Sequence, residues 1–238
     1  MMANFLSKEI CVCITNYDFS ENATELKKQF GTFFHTILID SSSPSLPEDA
    51  DIVIANSYYP GLWNSAVHYA ITNNFKYLMF VASDLQINNV KMLCEFSNEA
   101  TQYQQIGVYS SSISPNSRVA FPALINSATS HIRETGVMEG FFFLARVEIL
   151  KSIYPISPKF KYGWGIDILT CHQAYEFNYI VVVDDRVEIF HPASKPDHAI
   201  DPNEATIESA SFIDDSIIAR FQERQKQLQC QHKYINNA

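Results

Sequence analysis

Short apolar runs alternate with amphipathic stretches along most of the chain. Runs rich in apolar, β-branched and aromatic residues predict strands, and stretches with apolar residues at helical spacing predict helices between them. This alternation is typical of an α/β protein with a mostly parallel central sheet flanked by helices. The predicted strands cover residues 10–15, 36–40, 51–55, 77–81, 106–109, 141–144 and 179–183, and the predicted helices 22–30, 62–73, 90–99, 146–152 and 167–176.

Two segments depart from this alternation. Residues 110–137 are polar and show no sustained period, so we expect an extended loop there. Residues 204–228 carry apolar side chains at helical spacing, which predicts one amphipathic helix.

Composition narrows the class of protein. A chain of 238 residues with 47% apolar residues can bury the core of one domain. The net charge of −9 argues against nucleic acid or an anionic membrane surface as the main partner. Binding of a small anionic substrate would then need local positive charge at the site, such as a metal ion.

Compartment and redox state follow from two further features. The first residues lack an apolar run of signal-peptide length, and no stretch reaches the ~20 apolar residues of a transmembrane helix. We therefore expect a cytoplasmic protein without a transmembrane segment. The five cysteines show no paired CxxC spacing, which favours reduced thiols over a zinc site or disulfides.

Candidate chemistry lies after one predicted strand and at the start of one predicted helix. Ser83 and Asp84 come directly after the strand at 77–81, and ligands of open α/β sheets bind at such strand ends. Gly163 and Gly165 flank Trp164 just before Asp167, and glycines permit close approach of the backbone to a ligand.

The order of these motifs resembles the nucleotide-sugar glycosyltransferases of the GT-A fold, particularly family 2. The motifs are Ser83-Asp84, Gly140 with three phenylalanines, Gly-Trp-Gly-x-Asp ending at Asp167, and His191-Pro192. The resemblance covers roughly the first 195 residues, the length of one α/β domain. It implies a Rossmann-like GT-A domain over 1–198. The apolar spacing predicts that an amphipathic helix and tail follow over 199–238 and pack on the same domain or on a partner.

The resemblance also implies a divalent cation. Family members usually carry Asp-x-Asp where this chain has Ala82, Ser83 and Asp84, so Asp84 alone would face the metal. His191 matches a histidine that some members supply as a further ligand. Mn²⁺ accepts an imidazole more readily than Mg²⁺, although either would serve as the cofactor. Asp197 and His198 are close enough in sequence to compete with His191.

The remaining roles are carried over residue by residue. Asp167 matches the catalytic base of inverting members, and in a retaining enzyme it would instead orient donor or acceptor. Asp40 matches an aspartate that reads the nucleotide base. Thr15, Asn16, Asn64 and Ser83 join Asp40 and Asp84 as expected donor-binding residues, and Gly140, Trp164 and Gly165 are expected at the acceptor or sugar.

Each aspartate also has a purely structural interpretation. Asp84 and Asp167 stand where helix-capping aspartates are common, and Asp40 precedes a serine-rich turn. His191 could simply be a hydrogen-bonded histidine.

The sequence therefore predicts a glycosyltransferase of hexosyltransferase type. It would move a sugar from a nucleoside-diphosphate donor, with UDP favoured, to a glycan or other hydroxyl acceptor, and the C-terminal helix could form a homodimer. A nucleotidyltransferase is disfavoured because no basic, glycine-rich loop follows the first strand. A non-catalytic nucleotide-sugar-binding protein of the same fold remains open, because Ala82 removes one expected carboxylate.

Overall fold

The computed structural model describes residues 6–129, 131–192 and 201–231. Over these ranges the chain forms eight strands, seven α-helices and a short 3₁₀ helix at Pro122–Leu124. The strands are β1 (Ile10–Asn16), β2 (His35–Asp40), β3 (Ile52–Val53), β4 (Tyr77–Ala82), β5 (Ile106–Ile113), β6 (Ile132–Glu134), β7 (Phe142–Arg146) and β8 (Ile180–Ile189). The helices are α1 (Ser20–Phe30), α2 (Tyr58–Thr72), α3 (Val90–Ala100), α4 (Val147–Ile153), α5 (Ile166–Glu176), α6 (Pro202–Phe212) and α7 (Asp215–Gln231).

All eight strands belong to one sheet, in the order β3-β2-β1-β4-β7-β5-β8-β6. Strands β3, β2, β1 and β4 pair in parallel, as do β5 and β8. Strand β7 runs antiparallel between β4 and β5, and β6 is antiparallel to β8 at the edge. The expected mostly parallel α/β sheet flanked by helices is therefore confirmed.

Helices cover both faces of the sheet because side chains alternate along each strand. In β1, Ile10, Val12 and Ile14 enter one buried cluster, and Cys11 and Cys13 enter the other. The first cluster receives α1 and α3, and the second receives α2, α4 and α5. The central strands are buried on both sides, as the apolar runs predicted.

The chain reverses its direction of travel across the sheet between β1 and β4. Strands β2 and β3 follow β1 on one side, and β4 lies on the other. Such a switch point opens a crevice at the carboxyl ends of the strands. The amino end of the antiparallel β7 comes to the same edge, which brings the segment before Phe142 beside the ends of β1 and β4.

The region 110–137 is more ordered than the sequence predicted. Strand β5 continues to Ile113, and the 3₁₀ helix and β6 follow. Arg133 pairs with the fully buried side chain of Asp185 at 2.7 Å and also donates to the carbonyls of Ala123 and Ile125. The hydroxyls of Ser127 and Thr129 donate to Asp185 as well, so distant residues order a segment that has no period of its own.

The C-terminal region forms two helices where the sequence predicted one. Ile213 adopts an extended backbone, and the side chain of Asp214 accepts the backbone N–H of Ser216 at 2.8 Å, which starts α7. Helix α7 contacts the body through Phe221, which packs edge-on against Phe121. The predicted domain boundary at 198/199 lies outside the described residues.

Two other expectations concern membranes and cysteines. Among the described residues, no helix combines the length and apolar character needed to cross a membrane. Cys11, Cys13, Cys94 and Cys171 are buried free thiols, as expected.

Replacement of Arg133 by methionine should destabilise the protein by about 3 kcal/mol at pH 7, because it leaves the charge of Asp185 buried without its partner. Although burial opposes it, hydrogen bonds from Arg133 and Ser127 lower the pKa of Asp185. The native pair therefore stabilises the fold above the unfolded pKa, and this contribution is lost as the pH falls below about 4. Urea denaturation at pH 7 and pH 3 measures both effects.

Lys91→Met is the matched control. Its pair with Glu95 is long, at 3.8 Å, and both side chains are exposed, so the free energy of unfolding should change by less than about 0.5 kcal/mol. Equal effects of the two substitutions would contradict the role given to Arg133.

Candidate active site

A cavity of about 910 Å³ opens where the strand ends meet. Its walls come from the ends of β1 and β4, the turns before β7 and α5, the segment after β8, and α6. Residues in its wall include Thr15, Tyr17, Ser41, Tyr59, Ser83, Asp84, Arg118, Glu139, Gly140, Tyr162, Trp164, Gly165, Asp167, His191, Thr206 and Ser209.

Asp84 and His191 meet in this cavity although 107 positions separate them. Oδ2 of Asp84 lies 3.2 Å from Nε2 of His191. The segment after β8 reaches Asp84 because Gln86 and Phe190 exchange two backbone hydrogen bonds, at 2.9 and 3.0 Å. Phe141 stacks on the imidazole with a centroid distance of 4.2 Å, which fixes the plane of the ring.

The pair fits a divalent cation. Nδ1 of His191 lies 3.1 Å from the carbonyl oxygen of Arg118, so Nδ1–H donates there and Nε2 of the neutral ring keeps its lone pair toward Asp84. Two acceptors at this distance need a proton or a cation between them, and two ligands of one octahedral ion also lie about 3 Å apart. Oδ1 of Asp84 is buried without a hydrogen-bond partner, which leaves it open to a ligand.

Protonation of His191 is the other way to satisfy this contact. Although burial lowers it, the hydrogen bond to Asp84 and the charge of Asp84 give His191 a raised pKa. The described ranges contain no cluster of three or more His, Cys, Asp or Glu side chains that would hold a metal by themselves. Oxygen atoms of a ligand would have to complete the coordination.

Asp167 lies in the first turn of α5 behind a loop that requires two glycines. Gly163 and Gly165 have φ values of 73° and 99°, in the left-handed region. A Cβ on Gly165 would lie 2.1 Å from Cδ1 of Ile213, so the close packing of the C-terminal segment also needs this glycine.

The carboxyl group of Asp167 is tuned toward neutral pH. Burial in the cavity wall raises its pKa to about 7; a hydrogen bond from the N–H of Ile168 opposes this rise, and the neighbouring Glu139 adds to it. Its proton affinity is therefore that of a group able to take and release a proton near neutral pH.

Glu139 and Tyr59 are wall residues that the sequence reasoning missed. Oε1 of Glu139 accepts the N–H groups of Ala120 and Phe121, at 2.5 and 3.1 Å, and burial raises the pKa of this carboxyl. The hydroxyl of Tyr59 donates to the carbonyl of Gly140 at 2.9 Å. The position of Glu139 beside Gly140 at the start of an apolar run was the signal that could have found it.

Of three residues expected to bind the donor, two line the cavity and one is buried below it, in its floor. Thr15 and Ser83 line the cavity. Asn16 is fully buried beneath them, where its amide donates to Asp40 at 2.7 Å and accepts from the hydroxyl of Ser83 at 2.6 Å.

Asp40 also lies in the floor, which corrects the expectation of a direct contact with a nucleotide base. It has 0% exposure, its Oδ1 accepts the N–H of Ser43, and its Oδ2 accepts from Asn16 and from the hydroxyl of Ser43. Both oxygens are thus used within the protein.

Asn64 is not brought to the cavity at all. Its side chain donates to the carbonyl of Ile156 and accepts the N–H of Ile156, both at 2.8 Å. It ties α2 to the turn after α4, so the expected contact with donor phosphates is corrected here. An asparagine near a helix start gives the same sequence signal whether it binds a ligand or ties two elements of the fold together.

The expected acceptor residues Gly140, Trp164 and Gly165 all line the cavity. Trp164 is 37% exposed and Tyr58 is 45% exposed, so both rings are accessible from the cavity that they line. Asp197 and His198, which could have replaced His191, lie outside the described residues.

Comparisons with known proteins identify the fold. No protein-family model and no curated protein sequence matches the chain. Solved structures do match: TarS of S. aureus (residues 1–349) at a TM-score of 0.59 and 17% identity, over 77% of this chain and 60% of that chain. GalNAc-T7, solved with UDP, GalNAc and Mn²⁺, matches at 0.58 and 10% identity, over 91% and 55%. A mycobacterial protein matches at 0.56 and 14%, over 80% and 69%.

These similarities concern the fold, because the identities are all below 20%. The chain spans less than two thirds of the length of TarS 1–349 and of GalNAc-T7. Sheet order, the crevice at the strand ends and the superpositions agree with the family resemblance of the sequence motifs. The chain has the GT-A fold.

Proposed function

We propose that the protein is a glycosyltransferase that moves a hexosyl group from a nucleoside-diphosphate-sugar, with UDP favoured, to a hydroxyl acceptor. One observation carries the proposal: the Asp84–His191 pair and the carboxyl of Asp167 line the same cavity at the switch point of a GT-A sheet. The GalNAc-T7 structure, which contains UDP and Mn²⁺, supports the choice of donor and cation.

The donor half of the site would lie at the ends of β1 and β4. Asp84 and His191 would hold Mn²⁺ or Mg²⁺, which supplies positive charge to stabilise the departing diphosphate. Thr15, Tyr17 and Ser83 line this part of the cavity and would contact the donor. Asn16 and Asp40 would act from below by fixing these strand ends.

The acceptor half would centre on Asp167. Its carboxylate takes the proton of the acceptor hydroxyl while that oxygen bonds to the anomeric carbon. The bond from the anomeric carbon to the diphosphate breaks, and the nucleoside diphosphate leaves with the electron pair. Attack opposite the leaving group inverts the anomeric configuration. Gly140 and Gly165 line this half of the cavity, and the exposed ring of Trp164 offers a face to a glycan acceptor.

Ala82 favours one second candidate. This alanine stands where family members carry the first carboxylate of Asp-x-Asp, so a usual donor contact is missing. The missing contact fits a non-catalytic nucleotide-sugar-binding protein of the same fold. Such a protein would bind a diphosphate but transfer nothing. A cytoplasmic location, a homodimer and the absence of a nucleic-acid partner stay predictions from the sequence.

Asp84→Asn should weaken metal-dependent binding of a nucleoside diphosphate at least about tenfold, because a neutral amide is a poor ligand for a hard cation. Calorimetric titration with UDP, GDP and CDP, each with and without Mn²⁺, measures this. Asp49→Asn, a surface aspartate paired with Lys27, is the control that should bind like the wild type. Undiminished binding in Asp84→Asn, or no binding of any diphosphate to the wild type, would contradict the donor site.

Asp167→Asn should lower kcat/KM for transfer by about 10²–10⁴-fold, the range of general-base catalysis, while diphosphate affinity stays unchanged. In the wild type, kcat/KM should rise with pH through about 7, because only the ionised carboxylate accepts the acceptor proton. Sugar transfer assayed between pH 5 and 9 measures both. Binding of UDP-sugar with no turnover in either protein would favour the non-catalytic candidate.

Asp167→Asn should also gain thermal stability relative to the wild type as the pH rises. The folded pKa of about 7 lies above the usual value of 3.8, so ionisation penalises the folded state and the wild type loses stability between these two values. The difference in Tm between variant and wild type should therefore increase from pH 4.5 to pH 8. A pH-independent difference would show that the carboxyl is not perturbed.

Asp214→Asn is the counterpart with the opposite sign. The hydroxyl and N–H of Ser216 lower the pKa of the exposed Asp214 below its usual value of 3.8, so the stability that its ionisation contributes develops as the pH rises to about 4. This variant should therefore lose slight stability relative to the wild type between about pH 2.5 and about pH 4.5, and its difference in Tm should stay constant from about pH 4.5 to about pH 8.

A further inference from the structure

The loop that carries Trp164 and leads into Asp167 is held from outside by α6. Residues 160–165 form no helix or strand. The carboxylate of Glu208, in α6, accepts the backbone N–H of Lys161 through Oε1 and that of Tyr162 through Oε2, both at 2.7 Å. Hydrogen bonds to an ionised acceptor are about twice as strong as neutral ones. Glu208 therefore supplies the loop with the partners that regular structure would provide.

Further contacts surround this bidentate interaction. Phe212 stacks on Phe160 with a centroid distance of 4.8 Å and an interplanar angle of 17°. The hydroxyl of Tyr162 donates to Glu204 at 2.7 Å. At the other end of the loop, a Cβ on Gly165 would meet the side chain of Ile213. The loop thus contacts α6 over residues 160–162, and its other end packs against Ile213, the residue after α6.

Helix α6 also forms part of the cavity. Thr206 and Ser209 line the cavity on the same helix that carries Glu208. The segment 202–213 therefore contributes both to the wall of the site and to the position of the loop, although the family resemblance ended near residue 195.

We propose that Glu208 is a positioning residue that fixes the 160–165 loop, and through it Trp164 and Asp167, for use of the acceptor. The inference rests on the proposed function for its kinetic consequence, but its structural consequence is independent of any activity. Asp84 and His191 lie on other segments, so loss of Glu208 should leave the donor half of the site intact.

Trp164 provides a direct readout. The chain has two tryptophans, and Trp63 is fully buried in the core, whereas Trp164 is 37% exposed. Acrylamide quenching of tryptophan fluorescence therefore reports mainly on Trp164, and Trp164→Phe identifies its share of the signal.

Glu208→Ala should raise the acrylamide quenching constant of Trp164. It should also lower kcat/KM for the acceptor by up to about 10²-fold through misplacement of the reacting groups, with a higher acceptor KM and a lower kcat. Affinity for UDP with Mn²⁺ should not change. Glu208→Gln keeps one of the two hydrogen bonds and should give intermediate values.

Glu25→Ala is the matched control, since Glu25 is an exposed helical glutamate that accepts a hydrogen bond from Gln29 on the same helix. It should change none of these quantities. If Glu208→Ala fails to fold, Glu208→Gln decides by the same readouts.

Unchanged quenching and unchanged acceptor kinetics in a folded Glu208 variant would overturn the inference. If no acceptor is found for the wild type, the proposed function fails, yet quenching still decides the positioning role: a rise in the Glu208 variants supports it and no change overturns it.

Discussion

A buried polar network at the carboxyl ends of β1, β2 and β4 is the constraint on which the site depends. Asn16 ends β1, and its amide joins Asp40 at the end of β2 to Ser83 just after β4. Ser43 completes the network by donating its hydroxyl and N–H to Asp40. Satisfied buried polar groups of this kind hold one arrangement, because every unpaired alternative costs desolvation without compensation. The network therefore fixes the end of β4, and with it the position of Asp84.

Charge is the second constraint. The chain has a net charge of −9, and Asp84, Glu139 and Asp167 all line the cavity. Burial raises the pKa values of Glu139 and Asp167, and the value of about 7 for Asp167 means that this carboxyl is partly neutral near neutral pH. A diphosphate would still meet an acidic site. Asp84 pairs with His191 and keeps one oxygen without a hydrogen-bond partner. A divalent cation held by these two residues would offset the repulsion between the acidic site and the diphosphate.

The sequence predicted the features whose signals are local. Apolar runs located the central strands, and glycines located the loop before Asp167, because period and backbone freedom can be read from neighbouring residues. Wall and floor could not be distinguished: Asp40 and Ser83 are both polar residues at strand ends, and only the fold shows that Asp40 points inward. Glu139 was missed because its segment is placed by β7 pairing and by hydrogen bonds from Ala120 and Phe121, which are distant in the sequence. The break before α7 had a local signal in Asp214 and Ser216 that the apolar spacing concealed.

Anomalous diffraction at the manganese edge, from crystals grown with UDP and Mn²⁺, locates the cation of the proposed donor site. We expect one strong peak within about 2–2.5 Å of both a carboxylate oxygen of Asp84 and Nε2 of His191, in contact with the diphosphate. Bound UDP without manganese between these two residues, or manganese bound only elsewhere, would contradict it.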